Sequence, residues 1–269
     1  ENNKAVLGGF KKIYYVKAKA WKPYFHDRFF QGYIQTESET DFALAFAGNT
    51  LTAQHVLNFI VEHVGNLKIS HVGMACNQRG TYTILQHCDP NPLERNPTDQ
   101  WDYDMFSRDH MQGLLTAEVI AKTVEHSINA ALKSAKKYKI DQAGINRMRT
   151  DFLAGIKCPA SGEYKLYEYR FQFAIRNDRA EVFTTKEEIQ PGGLVVLGMR
   201  ERFESSARLA FAESISTKKN TAETMFRFLN KAIDEVSADA SFEIDRPSVL
   251  HTLDRKGLHK AAWQDKFEL

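Results

Sequence analysis

The residues able to do chemistry are scattered, and most of their spacings fit no familiar site. Asp99, Asp102, Asp104 and Asp109 gather near His110, but the glycine and closing glutamate of a calcium loop are missing. No His-x-x-x-His pair occurs either, so these carboxylates read as polarity of a structured loop. Cys76, His87 and Cys88 lack zinc spacing. Gly8-Gly9-Phe10-Lys11-Lys12 lacks the spacing and the Lys-Ser/Thr of a phosphate loop. No metal or cofactor is expected. Two residues hold more interest. Lys12 sits in a strand-like run and, taken alone, is a solvated strand lysine. Gly48 ends an apolar run just before a helix and, taken alone, is a tight helix-entry glycine.

These residues depend on the elements around them. Phe10-Lys11-Lys12-Ile13-Tyr14-Tyr15-Val16 is aromatic and β-branched, which predicts a strand. Residues 17–40 are polar and laced with aromatics. Asp41-Phe42-Ala43-Leu44-Ala45-Phe46-Ala47-Gly48 is a compact apolar run stopped by glycine, which predicts a buried strand. Asn49 or Thr50 then caps a helix in which Val56, Leu57, Ile60, Val61 and Val64 recur at helical spacing. Residues 70–112, with Pro90, Pro92 and Pro97, predict a long loop holding a short hairpin around 80–85. A helix is predicted over about 115–139, with Val119, Ile120, Val124, Ile128, Ala131, Leu132 and Ala135 facing inward. Strands follow at 151–157, 164–175, 179–184 and 194–198. Helices are predicted at about 203–214 and 220–236, the second opened by the capping pattern Asn220-Thr221-Ala222-Glu223. A strand at 248–253, a turn at 254–257 and a tail close the chain.

Strands and helices do not alternate strictly, so a doubly wound parallel sheet is not expected. The order suits an α+β fold, a four-layer α/β/β/α sandwich of two mainly antiparallel sheets covered by helices. The 269 residues are 43% hydrophobic and 26% charged, which suits one large domain or two small ones with a proper core, and the element order is read as a single domain. Lys and Arg number 36 against 34 Asp and Glu. That balance argues against a nucleic-acid surface, and the run Lys133, Lys136, Lys137, Lys139 reads as the solvated end of a helix. Three cysteines cannot all pair, which suits a reducing compartment such as the cytoplasm. No apolar run reaches the ~20 residues of a membrane span.

Several of these segments, in this order, resemble the proteasome β-subunit-like N-terminal-nucleophile hydrolases. Phe42-Ala43-Leu44-Ala45-Phe46-Ala47-Gly48-Asn49 running into a helix resembles that family's fourth-strand-to-first-helix junction. Lys12-Ile13 lies on the preceding strand, where the family places its active-site lysine. Phe152-Leu153-Ala154-Gly155 followed by residues 164–173 resembles its central hairpin. Val195-Val196-Leu197-Gly198 resembles the junction before its third helix. Helix 220–236 followed by Ser248-Val249-Leu250-His251-Thr252-Leu253 resembles its closing elements. The likeness covers most of the chain, with residues 17–40 and 70–112 as inserts.

The resemblance implies a threonine-type peptidase subunit cutting peptides or unfolded proteins, in a homo-oligomeric ring or spiral that an ATPase unfoldase can feed. The nucleophile in this family is an N-terminal Thr, Ser or Cys whose α-amine is the base. Carried over, Lys12 is the lysine and Gly48 the oxyanion donor, while Phe46, Asn49 and Thr50 border the substrate pocket. Two departures stand out. Glu1 cannot be the nucleophile, so the first two strands are expected upstream. Met199 also falls where the family has a serine. A non-catalytic structural subunit of such an assembly, or an amidase acting on a small molecule, is the alternative.

Overall fold

Period-two alternation builds the largest unit. In Ile13–His26 (β1) the residues Val16, Ala18 and Ala20 are buried, and in Phe29–Gly48 (β2) so are Phe42, Leu44 and Phe46. Both sets point to one face. The structure, a computed structural model, describes residues 11–72, 81–86, 88–96, 98–101, 103–135, 142–176, 179–239, 244, 246–254 and 257–264. Gly8, Gly9, Phe10, Cys76, His87, Pro97, Asp102, Lys136, Lys137 and Lys139, on which expectations above rest, lie outside the described residues, as does the side chain of Asp104.

Helix Thr50–Gly65 (α1) follows β2, then strands Leu67–Val72 (β3) and Thr81–Leu85 (β4). Short helices Pro92–Arg95 (α2) and Arg108–Met111 (α3), with a 3-10 turn at Tyr103–Phe106, lead to Ala117–Ala135 (α4) and Gln142–Met148 (α5). Strands Thr150–Lys157 (β5), Tyr164–Arg176 (β6) and Arg179–Ile189 (β7) come next. Helices Arg200–Ser216 (α6) and Thr221–Ala238 (α7) and strands Ser248–Asp254 (β8) and Gly257–Gln264 (β9) close the described chain. Seven strands form one sheet in the order β4-β3-β1-β2-β5-β6-β7, and β8 pairs with β9 in a second sheet. Among the described residues only the β1–β3 pairing is parallel. The fold is α+β.

Helices α1 and α4 cover one face of the large sheet. Their inward residues Val56, Leu57, Ile60, Ile120, Val124 and Ile128 are buried with Phe152, Tyr167 and Tyr169 of the strands. Tyr169 Oη donates to Ala121 O at 3.0 Å, and the Trp21 indole donates to Gly65 O at 2.8 Å. The opposite face meets the β8–β9 hairpin. There the Tyr15 hydroxyl lies 3.3 Å from His251 Nδ1, and Leu253 Cδ2 stands 3.7 Å from where a Cβ on Gly155 would be. Helix α7 holds β8 through Ser248 Oγ donating to Asn230 Oδ1 at 2.6 Å. Helices α6 and α7 join around Phe203, Ala232 and Val236. Among the described residues no helix is long and apolar enough to cross a membrane.

Several expectations need correction. Residues 17–40 are the outer halves of β1 and β2, turning at Asp27 and Arg28 with φ of 48° and 71°. Two successive left-handed residues make the tight turn that matches strand twist. Without glycine to announce it, the turn is invisible in the sequence. Within 70–112, β4 pairs with β3, whose start at Leu67 precedes the predicted loop. Residues 194–198 join no strand, α5 was not foreseen, and the tail is strand β9.

Candidate functional site

The Lys12 end of β1 and the Gly48 end of β2 lie side by side. The Phe46 N–H donates to Lys12 O at 3.1 Å, extending the ladder one residue beyond Ile13↔Ala45. The Lys12 ammonium sits 4.7 Å from the centre of the Phe46 ring, a cation–π contact on the face that α1 and α4 cover. Partial removal from water holds this ammonium below the usual lysine range. Phe46 is itself buried, stacked at 6.1 Å with Tyr14 and 6.2 Å from Phe152. It therefore forms a floor beneath Lys12 rather than a lip around it.

Gly48 is the turning point. Its φ is +118°, and a Cβ there would lie 2.2 Å from Arg149 O and 2.9 Å from Thr150 Cα. Only glycine lets β2 press against the start of β5 in this conformation. Alternate N–H groups of an antiparallel strand face the same neighbour. Since the Phe46 N–H faces β1, so does the Gly48 N–H, on an exposed residue. Asn49 faces the other way, its N–H donating to Arg149 O at 3.2 Å. The Asn49 side chain caps α1 by accepting from the Thr52 N–H at 2.9 Å. Its side-chain oxygen is committed to the helix. Thr50 opens α1 and is partly exposed.

All five expected site residues thus share one corner, where β1 ends, β2 ends and α1 begins. The Lys12 ammonium and the N-terminus of α1 each favour negative charge at this corner. Behind this corner Gly198 approaches Ala47, with φ +83° and the site of a Cβ 3.4 Å from Ala47 Cβ. The next residue, Met199, precedes α6 without a side-chain cap and packs on the Phe203 cluster. It brings no hydroxyl to the corner. Among the described residues no group of three His, Cys, Asp or Glu side chains could hold a metal ion.

A second polar cluster, not among the expected site residues, lies on the face opposite α1 and α4. Glu168, fully buried on β6, pairs with Arg170 at 2.8 Å and with Arg200 at 3.0 Å. Asp151 on β5 accepts the Phe171 N–H at 2.8 Å. A signal was present in Tyr167-Glu168-Tyr169-Arg170, since a carboxylate between two buried tyrosines needs a partner. No family model, curated protein or solved structure matches the chain.

Proposed function

We propose that this chain is a subunit of a proteasome-like N-terminal-nucleophile peptidase, with its active corner at Lys12 and Gly48. The observation that carries the reading is the meeting of the Lys12 end of β1 with the Gly48 end of β2 at the N-terminus of α1. In this reading the layers α1/α4, large sheet, β8–β9 and α6/α7 make a four-layer α/β/β/α sandwich. Strands from outside these 269 residues complete its smaller sheet and bring the nucleophile.

An N-terminal Thr, Ser or Cys gives its side-chain proton to its own α-amine, directly or through water, and attacks the scissile carbonyl carbon. The carbonyl electron pair moves onto oxygen, where the Gly48 N–H donates a hydrogen bond. Collapse breaks the C–N bond, and the amine leaves with the proton held by the α-amine. Water then hydrolyses the acyl intermediate. The Lys12 ammonium keeps the α-amine deprotonated and steadies the developing charge. Exposed Leu51, Leu209 and Ile215 support subunit contacts in a homo-oligomeric ring or spiral, in the cytoplasm and served by an ATPase unfoldase.

The test is the N-terminus of the mature full-length protein, read by sequencing or mass spectrometry. A start at Thr, Ser or Cys supports the reading, and an unprocessed leader overturns it. Met199, with no hydroxyl to offer, favours a second reading in which the chain is a non-catalytic subunit of a similar assembly. A mature protein that has a free N-terminal nucleophile and hydrolyses peptides rules that out.

A further inference from the structure

A cavity of about 260 Å³ opens where β5, β6, α5 and α6 converge, and arginines dominate its charged lining. Arg149, Arg170 and Arg200 line it with a single carboxylate, Asp151. We propose that this cavity binds a small oxyanion, a carboxylate or phosphate group of a ligand, with Arg149 as its principal cation.

Three observations support this. First, the other charged groups here already have partners: Glu187 adds to the field of Glu168 at Arg170. Arg170 and Arg200 share the two oxygens of Glu168. Glu204 is engaged by Arg208 at 2.6 Å and stands 3.5 Å from Arg200. Asp151 already accepts a backbone N–H. Arg149 has no ion pair or side-chain hydrogen bond among the described residues.

Second, the wall keeps donors without acceptors. The Nε–H of Arg170 is buried and unpartnered, that of Arg200 meets Glu204 only at 3.5 Å without hydrogen-bond geometry, and the Glu168 oxygens meet the two arginines as ion pairs without hydrogen-bond geometry. Buried guanidinium donors call for an acceptor. Arginine forks match the planar or tetrahedral oxygens of carboxylate and phosphate. Third, the space is sufficient for such a group with a few waters.

The location matters as well. Arg149 O is the atom pressed against Gly48, so an anion held by the Arg149 side chain sits one residue behind the β2–α1 corner. The proposal goes beyond the peptidase reading and does not rest on it.

Isothermal titration calorimetry on the full chain at low ionic strength tests it, with inorganic phosphate in one arm and acetate in the other. Saturable one-to-one binding of either is expected, weakened at least tenfold in Arg149→Ala and partly kept in Arg149→Lys. Preference for phosphate assigns a phosphorylated ligand, and preference for acetate a carboxylate. Arg227→Ala, which removes an arginine on the surface of α7, is expected to bind as the wild type does. Circular dichroism melts check that each variant is folded. Absence of saturable binding to the wild type, equal binding by Arg149→Ala, or equal loss in Arg227→Ala overturns the proposal. None of these outcomes depends on peptide hydrolysis, so failure here is distinct from failure of the peptidase reading.

Discussion

The two faces of the large sheet solve different problems with the same strands. On the face under α1 and α4, Leu44, Phe152, Ala154, Tyr167 and Tyr169 are buried against helices, and polar groups among them, such as His63 with Ser127 and Asn129 with the Thr184 N–H, pair by hydrogen bonds. The register carries the other face through Ala45↔Leu153↔Glu168↔Glu187, a row that becomes charged toward β7. One face is closed by hydrophobic packing, which is non-directional and tolerant of detail. The other is closed around Glu168 by two arginines, where each partner depends on the others. Geometry-dependent chemistry belongs on the second kind of surface or at the seams between the two. The Gly48 corner is such a seam.

The sharpest way to break this comparison is to remove the buried carboxylate. Glu168→Ala strips Arg170 and Arg200 of their shared partner and is expected to cost about 3–5 kcal/mol in urea denaturation. A cost near zero would mean that solvent satisfies the two arginines unaided, and the contrast between faces would collapse.

Next in size is Gly48→Ala. Backbone strain and the clash with Arg149 O together predict a loss of about 2–4 kcal/mol. Gly32 has a similar φ of +122° but nothing within 4 Å of a Cβ. Gly32→Ala is therefore expected to lose only about 1 kcal/mol. Equal losses at both would show that close approach at the corner contributes nothing.

On the apolar face, Tyr169→Phe deletes one hydrogen bond to Ala121 O while keeping the ring, so about 1 kcal/mol is expected from the same denaturation series. A loss matching that of Glu168→Ala would erase the distinction between non-directional and partner-dependent closure.

The smallest effect is a titration. Desolvation lowers the Lys12 pKa from 10.5, whereas the Glu39 hydrogen bond raises that of Lys17. Carbon-13 NMR of the lysine side chains is expected to give Lys12 the lower midpoint. The unfolded chain then holds more protons between the folded Lys12 value and 10.5, so its contribution to stability rises with pH across that window. Lys12→Met flattens the rise. A Lys12 midpoint at or above that of Lys17 would place the ammonium in open water.

What the sequence disclosed followed from local rules. Apolar residues at helical spacing marked α1, α4 and α7, and Asn220 caps α7 with its oxygen 3.2 Å from the Glu223 N–H. The apolar run ending at Gly48 foretold both the buried end of β2 and the start of α1. What stayed hidden depended on partners distant in the chain. The Asp27–Arg28 turn has no glycine, so the outer halves of β1 and β2 read as an insert. Residues 194–198 have strand-like composition but no neighbouring strand to pair with. The Glu168 cluster joins β6 to α6, thirty-two positions apart, and no local spacing encodes that meeting. For the site, types and proximity were legible in Lys12 and Gly48. A cap at Asn49 or Thr50 was legible as well, whereas the choice of Asn49, through its bond to the Thr52 N–H, came only from the fold.

The most direct measurement is hydrolysis of a fluorogenic peptide by the mature, full-length assembly, wild type against Lys12→Ala. The account predicts turnover by the wild type and a fall in kcat of about a hundredfold or more in the variant, as for loss of a charge-stabilising group. Unchanged turnover in Lys12→Ala, with the variant folded and assembled, would contradict it.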